Sequence, residues 1–334
     1  MRAYQVVEFG PPSALRVRDV ADPVPGEGQL LVEVAAAGIN YPDVLVVSGR
    51  YQILPERPFI PGKEIAGVIR AVGPGVAGFA PGDRVLGQLE NGAFAEQALV
   101  RADDAFKMPS ELGFADATAM GLVYQTAYFA LRDRASLRRG ETVLVGGAAG
   151  GVGVAGIQLA KAFGAKVLAA VRRPEQAEFV RACGADVVID VGGKNLRDDV
   201  RAQVFAATDG AGADVVLDPV GADFFGAALR ALAWCGRLVV IGFVGGEIPS
   251  VKANYLLVKN ITVSGLQWSD YRERTPQRMR DAQAEIFDLW RSGALRPPST
   301  KTFTFDRLPE ALELIGRGQI QGKAAILLDR RKNS

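Results

Sequence analysis

The chain has 334 residues, 49% of them hydrophobic and 23% charged, with 39 Lys+Arg against 37 Asp+Glu for a net charge of +2. This is the composition of an ordinary globular protein, too long for one compact core, so two domains are expected. The balanced charge offers no basic field for nucleic acid, and no apolar run reaches the roughly 18 residues of a membrane span.

Histidine is absent, which removes the commonest general base and the commonest metal ligand. Two cysteines, Cys183 and Cys235, cannot build a disulfide framework. Both sit beside glycines in helical or strand contexts and are read as buried packing residues. With no apolar signal-peptide core in the opening residues, a reducing, cytoplasmic setting is expected.

Along the chain, residues 6–9, 30–35 and 65–72 read as short strands rich in β-branched and apolar side chains. Turn signals separate them, including Gly10-Pro11-Pro12, Pro61-Gly62 and Pro81-Gly82. The first part is therefore expected to be a strand-rich, partly open barrel. From Thr142 the pattern changes to short apolar runs at 142–145, 166–171, 186–189, 214–217, 237–241 and 261–266. Helical stretches at 152–163, 174–182, 196–207 and 224–232 alternate with them. Such alternation predicts right-handed βαβ units around a parallel sheet buried on both faces. The tail, with a helix at 275–290, strands at 302–305 and 324–328 and a helix at 309–315, breaks the alternation and is expected to return to the first domain. The expected division is residues 1–124 with 267–334, and residues 125–266 inserted between them.

The motif with chemical content is Gly147-Ala148-Ala149-Gly150-Gly151-Val152-Gly153, between an expected strand and an expected helix. Glycines there let the backbone approach a pyrophosphate, and the helix start offers unpaired N–H groups and the positive end of its dipole. A dinucleotide site at Ala149, Gly150, Gly151 and Val152 follows. An NAD site usually carries an acid at the end of the second strand. Here Val171 occupies that place and Arg172-Arg173 follow. Two guanidiniums suit the 2′-phosphate of NADPH.

Taken in order, Gly38-Ile39-Asn40-Tyr41-Pro42-Asp43, Pro61-Gly62-Lys63-Glu64-Ile65-Ala66-Gly67, Pro81-Gly82-Asp83-Arg84-Val85, the glycine turn, Val240-Ile241-Gly242-Phe243 and Gly322-Lys323 resemble the medium-chain dehydrogenase/reductase superfamily. Within it they resemble the quinone oxidoreductase, or ζ-crystallin-like, branch. The resemblance implies an α/β fold: a GroES-like, strand-rich catalytic domain plus an inserted Rossmann doubly wound parallel-sheet domain. It implies NADPH as cofactor, and Asn40 and Asp43 at the active-site floor. Tyr51 matches a tyrosine that related 2-enoyl-thioester reductases use near substrate. It implies that Thr126 holds the nicotinamide carboxamide, that Ile241, Phe243 and Leu266 line its ring pocket, and that Arg317 is a second 2′-phosphate ligand. A homodimer paired along residues 261–266 is implied as well.

The positions that hold catalytic zinc in related alcohol dehydrogenases are Asn40, Lys63-Glu64 and the stretch around Leu122, with no Cys or His among them. A zinc-independent hydride transfer to a small conjugated acceptor, a quinone or an α,β-unsaturated carbonyl, is the expected reaction. Lys63 is expected either to replace part of the missing metal charge or to join a salt bridge, with Glu64 or another acid. An enoyl-thioester reductase and a non-enzymatic NADPH-binding protein are the alternatives.

Overall fold

The structure, a computed structural model, describes residues 1–328. It divides into two compact units. One comprises Met1–Leu122, Pro276–Gln283 and the chain from Ser299; the other comprises Val123–Thr275 and Ala284–Pro298.

The first unit is built on a seven-stranded sheet around the long strand Gln29–Ile39. Glu64–Val72 and Ala324–Leu327 flank that strand, both antiparallel to it, and Gln97–Arg101 pairs with its first half. Arg84–Gln88 and Ala105–Lys107 continue one side, and Lys301–Thr304 closes the other as a parallel neighbour. Alternation along the central strand turns Leu30, Val32 and Val34 inward, where they pack with Ile65, Ile69, Val85 and Val100. Each such side chain contributes about 1.5–3 kcal/mol on burial. The expected strand at 6–9 is displaced. The first strand is Arg2–Gln5, paired with Arg16–Asp19, and Val6 makes only an isolated bridge to Phe59. Ala3 and Tyr4 are the buried pair there, whereas Val7 faces outward, so β-propensity alone favoured the wrong residues.

The second unit holds a six-stranded, wholly parallel sheet. Its spatial order is Val187–Asp190, Lys166–Val171, Thr142–Val145, Ala213–Asp218, Leu232–Val240 and Thr262–Gly265. The order reverses between Thr142–Val145 and Ala213–Asp218, the switch point at which open α/β sheets bind ligands beyond their carboxyl ends. Strands 142–145 and 166–171 and helix 196–207 lie where the periodicity placed them. Residues 268–274, between the expected strand at 261–266 and the expected helix at 275–290, form the helix Trp268–Arg274. Cys183 is buried as expected, but Cys235 is exposed. Cys235 carries a positive φ at an irregular point early in Leu232–Val240, and this turns the thiol away from the core.

Candidate active site

Three neighbouring strands of the first unit bring Asn40, Glu64 and Lys323 to one end of the sheet. Asn40 directly follows Gln29–Ile39, Glu64 opens Glu64–Val72, and Lys323 directly precedes Ala324–Leu327. The register pairs Gly38 with Glu64 and Ile39 with Ala324, so the three side chains meet although 283 positions separate Asn40 from Lys323. Gly38 has a steric role here. A Cβ at that position would lie 2.8 Å from Glu64 Cγ, inside contact distance, so only glycine lets the Glu64 side chain cross.

Asn40 also caps the helix Tyr41–Val47, which opens with Pro42 in its first turn. The Asp43 carboxylate folds back to accept the Asn40 backbone N–H at 2.7 Å. This is the returning arm of a capping box. Asn40 Nδ2 donates to Glu64 Oε1 at 2.9 Å, and Leu122 N donates to Glu64 Oε2 at 3.0 Å. Lys323 Nζ donates to both Asn40 Oδ1 and Glu64 Oε1. Asn40, Asp43, Lys63, Glu64 and Lys323 are all buried.

Lys63 does not pair with Glu64. Successive strand residues point to opposite faces, and the Lys63 ammonium reaches Glu90 Oε1 at 2.6 Å and the Glu90 carbonyl at 3.1 Å. It also lies 5.2 Å from the centre of the Tyr51 ring, a cation–π distance. Thus Asn40 and Asp43 sit together, and Lys63 and Tyr51 form a second pair in the same unit.

Burial pushes the Asp43 carboxyl up to about 7, opposed by the positive charge of Lys63, the Asn40 backbone N–H and Lys323. The folded protein therefore holds this proton more tightly than the unfolded chain does. The stability it confers is full below about pH 4 and is lost as pH rises through about 7. Asp43→Asn keeps an acceptor for Asn40 N–H and removes the titration. Relative to this variant, the wild type is expected to lose on the order of 2 kcal/mol between pH 5 and pH 8. Urea unfolding at both pH values checks this, and parallel pH dependence of the two proteins would refute it.

In the second unit, the glycine turn, Arg172, Arg173, Ile241, Phe243 and Leu266 all lie beyond the carboxyl ends of strands. The turn after Thr142–Val145 leads into the helix Gly151–Ala162, with Gly150 as its N-cap. The first N–H groups of that helix have no intrahelical acceptor. Ala148 N donates to Ala170 O at 3.1 Å, tying the turn to the neighbouring strand. Gly153 is sterically required. A Cβ there would stand 2.6 Å from the Ala148 Cα and carbonyl oxygen, both backbone atoms that cannot yield. Arg172 and Arg173 follow Lys166–Val171; Arg172 is exposed, and Arg173 Nε lies 3.2 Å from Glu175.

Ile241 and Leu266 directly follow two adjacent strands whose last residues, Val240 and Gly265, are paired. Their N–H groups donate to Asp218 O and Val240 O. Phe243 lies two residues beyond Ile241, half-buried, and Thr126 is buried in the helix Leu122–Phe129. Arg317 lies in the other unit, exposed, 3.7 Å from Glu313.

Three residues of this architecture had no role assigned to them from sequence. Asp190 ends the strand beside Lys166–Val171, opposite Val171, so a carboxylate stands near the arginines after all. It accepts Gly192 N–H at 2.8 Å within its own turn. Asp218 is buried and accepts Val220 N and Gly221 N at 2.8 and 2.9 Å, shaping the loop beside the glycine turn; burial raises its pKa. The third is Lys323, whose place beside Asn40 depends on strand register.

Residues 26–110 match the family model described as an alcohol dehydrogenase GroES-like domain, and residues 151–284 match the one described as a zinc-binding dehydrogenase. A quinone oxidoreductase-like protein 2 homolog of Nematostella vectensis is 38% identical over 97% of this chain and 88% of its own length. The human quinone oxidoreductase is 33% identical over 98% of each chain. The structure of the Escherichia coli quinone oxidoreductase complexed with NADPH superposes with a TM-score of 0.91, at 29% identity, over 98% of this chain and all of that one (100%).

Proposed function

The chain belongs to the medium-chain dehydrogenase/reductase superfamily, in its ζ-crystallin-like quinone oxidoreductase branch, and we propose that it transfers a hydride from NADPH to a conjugated carbonyl acceptor without a metal. In this reading the second unit is the nucleotide domain and the first the catalytic one. The Gly150 helix start takes the pyrophosphate, Arg172 and Arg173 take the 2′-phosphate, and Thr126, Ile241, Phe243 and Leu266 receive the nicotinamide. The E. coli relative's complex with NADPH supports this cofactor.

The observation that carries the proposal is the donor set around Asn40. Glu64 is the one carboxylate at the positions matching a zinc site, and its Oε1 is already taken by the Lys323 ammonium and the Asn40 amide. Among the described residues, no cluster of His, Cys, Asp or Glu could hold a metal ion. Such a donor set does not fit zinc. It fits an acceptor whose negative charge spreads into an enolate or phenolate and needs only hydrogen-bond donors and a nearby positive charge. Asn40 supplies an amide donor, and Lys63, held by Glu90 and the Tyr51 ring, supplies charge.

The test is NADPH oxidation by EDTA-treated protein with a panel of quinones, enones and enoyl thioesters. Turnover of quinones or enones is expected, with NADPH preferred to NADH. Turnover confined to enoyl thioesters would move the assignment to that substrate class, and cofactor binding without turnover would remove catalysis from the account.

We also propose a homodimer paired through the edge strand Thr262–Gly265. Trp234 on the neighbouring strand is 76% exposed, and Leu257 and Val258 on the helix Ala253–Lys259 are 79% and 73% exposed. An apolar surface beside an open strand edge favours a partner. Sedimentation at micromolar concentration should give twice the chain mass, and Val263→Lys should shift it toward monomer. A wild-type monomer would refute the dimer.

A further inference from the structure

We infer that Lys323 is a positioning residue that fixes the Asn40 amide and sharpens it as a donor. This inference rests on the reading of Asn40 as the donor to the acceptor.

An asparagine side chain can turn over and exchange its oxygen and nitrogen. At Asn40 it cannot do so without a large penalty. Its oxygen faces the Lys323 ammonium and its nitrogen faces the Glu64 carboxylate. Reversal would place an NH2 group against a cation and a carbonyl against an anion, with all three side chains buried. The two charges thus act as an electrostatic clamp, and in a buried site such contacts are strengthened by the low local dielectric.

The clamp leaves a defined remainder. An amide has two N–H donors, and one is used on Glu64. The second is left for a ligand, with its direction set by the two bonds to Glu64 and Lys323. The ammonium on Asn40 Oδ1 also draws electron density toward the oxygen, which makes that remaining N–H more positive. Lys323 therefore acts through Asn40, touching neither cofactor nor acceptor. The Glu64 carboxylate is the anchor common to both, held in turn by Leu122 N–H.

The test is a double-mutant cycle read in kcat, in the NADPH KM and in a thermal melt. Lys323→Met is expected to lower kcat about 30–100-fold, approaching the effect of removing the donor itself, with the NADPH KM changed less than about threefold. Asn40→Ala with Lys323→Met should be no slower than Asn40→Ala alone, because the lysine has nothing left to orient. Lys323→Arg, which restores a cation over the same carboxylate and amide, should recover most of kcat.

Lys323→Met leaves Glu64 as an uncompensated buried charge. If it does not fold, Glu64→Gln with Lys323→Met, which carries no such charge, replaces it in the cycle. Multiplicative losses in the double variant, or wild-type kcat in Lys323→Met, would overturn the inference and leave the reading of Asn40 intact. Wild-type kcat in Asn40→Ala would instead overturn that reading.

Discussion

Asn40→Ala is expected to lower kcat for quinone or enone reduction about 100-fold or more while leaving the NADPH KM within about threefold. The amide is buried, so the donor it offers is not screened by bulk water, and no reorganisation is needed when charge develops on the acceptor. The variant should stay folded. Glu64 and Lys323 remain paired with each other, and Asp43 still accepts the backbone N–H of residue 40. A kcat loss with an unchanged cofactor KM marks an interaction made in the transition state rather than in ground-state binding. Steady-state kinetics with a good acceptor at saturating NADPH measures it. An equal rise in KM with constant kcat would mean that Asn40 only helps bind substrate.

Replacing both Arg172 and Arg173 by alanine should lower kcat/KM for NADPH about 100-fold and change that for NADH less than about threefold. Each charge-assisted contact to a phosphate contributes about 1.5–3 kcal/mol, reduced here because Arg172 is exposed and Arg173 already has Glu175 nearby. A total near 3 kcal/mol corresponds to that hundredfold. High salt should shrink the difference, as screening does for exposed charges. Equal losses with both cofactors would place the arginines on the shared part of the nucleotide, and no loss would leave them as solvated turn residues.

The second unit was largely legible because each strand is a short apolar run and each helix has its own period. Thr142–Val145, Lys166–Val171 and Leu196–Ala207 have the same bounds in sequence and structure. Leu232–Val240 begins earlier than its apolar run because a register shift lets it pair through the irregular residues Ala233 to Gly236. The first unit was legible only in part. Its site depends on register between distant strands, which no local propensity encodes. Asn40, Lys63 and Glu64 stand out in sequence, yet nothing there says that Lys63 turns to Glu90 while Lys323 takes Glu64. Tyr41–Val47 was hidden because Asn and Asp serve turns and helix caps alike, and the structure selects the cap. Asp190 shows the same limit in the second unit. Its sequence position lies well past the arginines, but parallel pairing sets it beside Val171.

The proposed reaction is direct hydride transfer from NADPH to carbon with no metal involved. A single turnover of EDTA-treated protein with NADPH deuterated at the transferring nicotinamide C4 position, and an enone as acceptor, tests it most directly. The deuterium is expected on the β-carbon of the saturated product and a solvent proton on the α-carbon. A product without deuterium, or turnover that returns only when zinc is added, would contradict it.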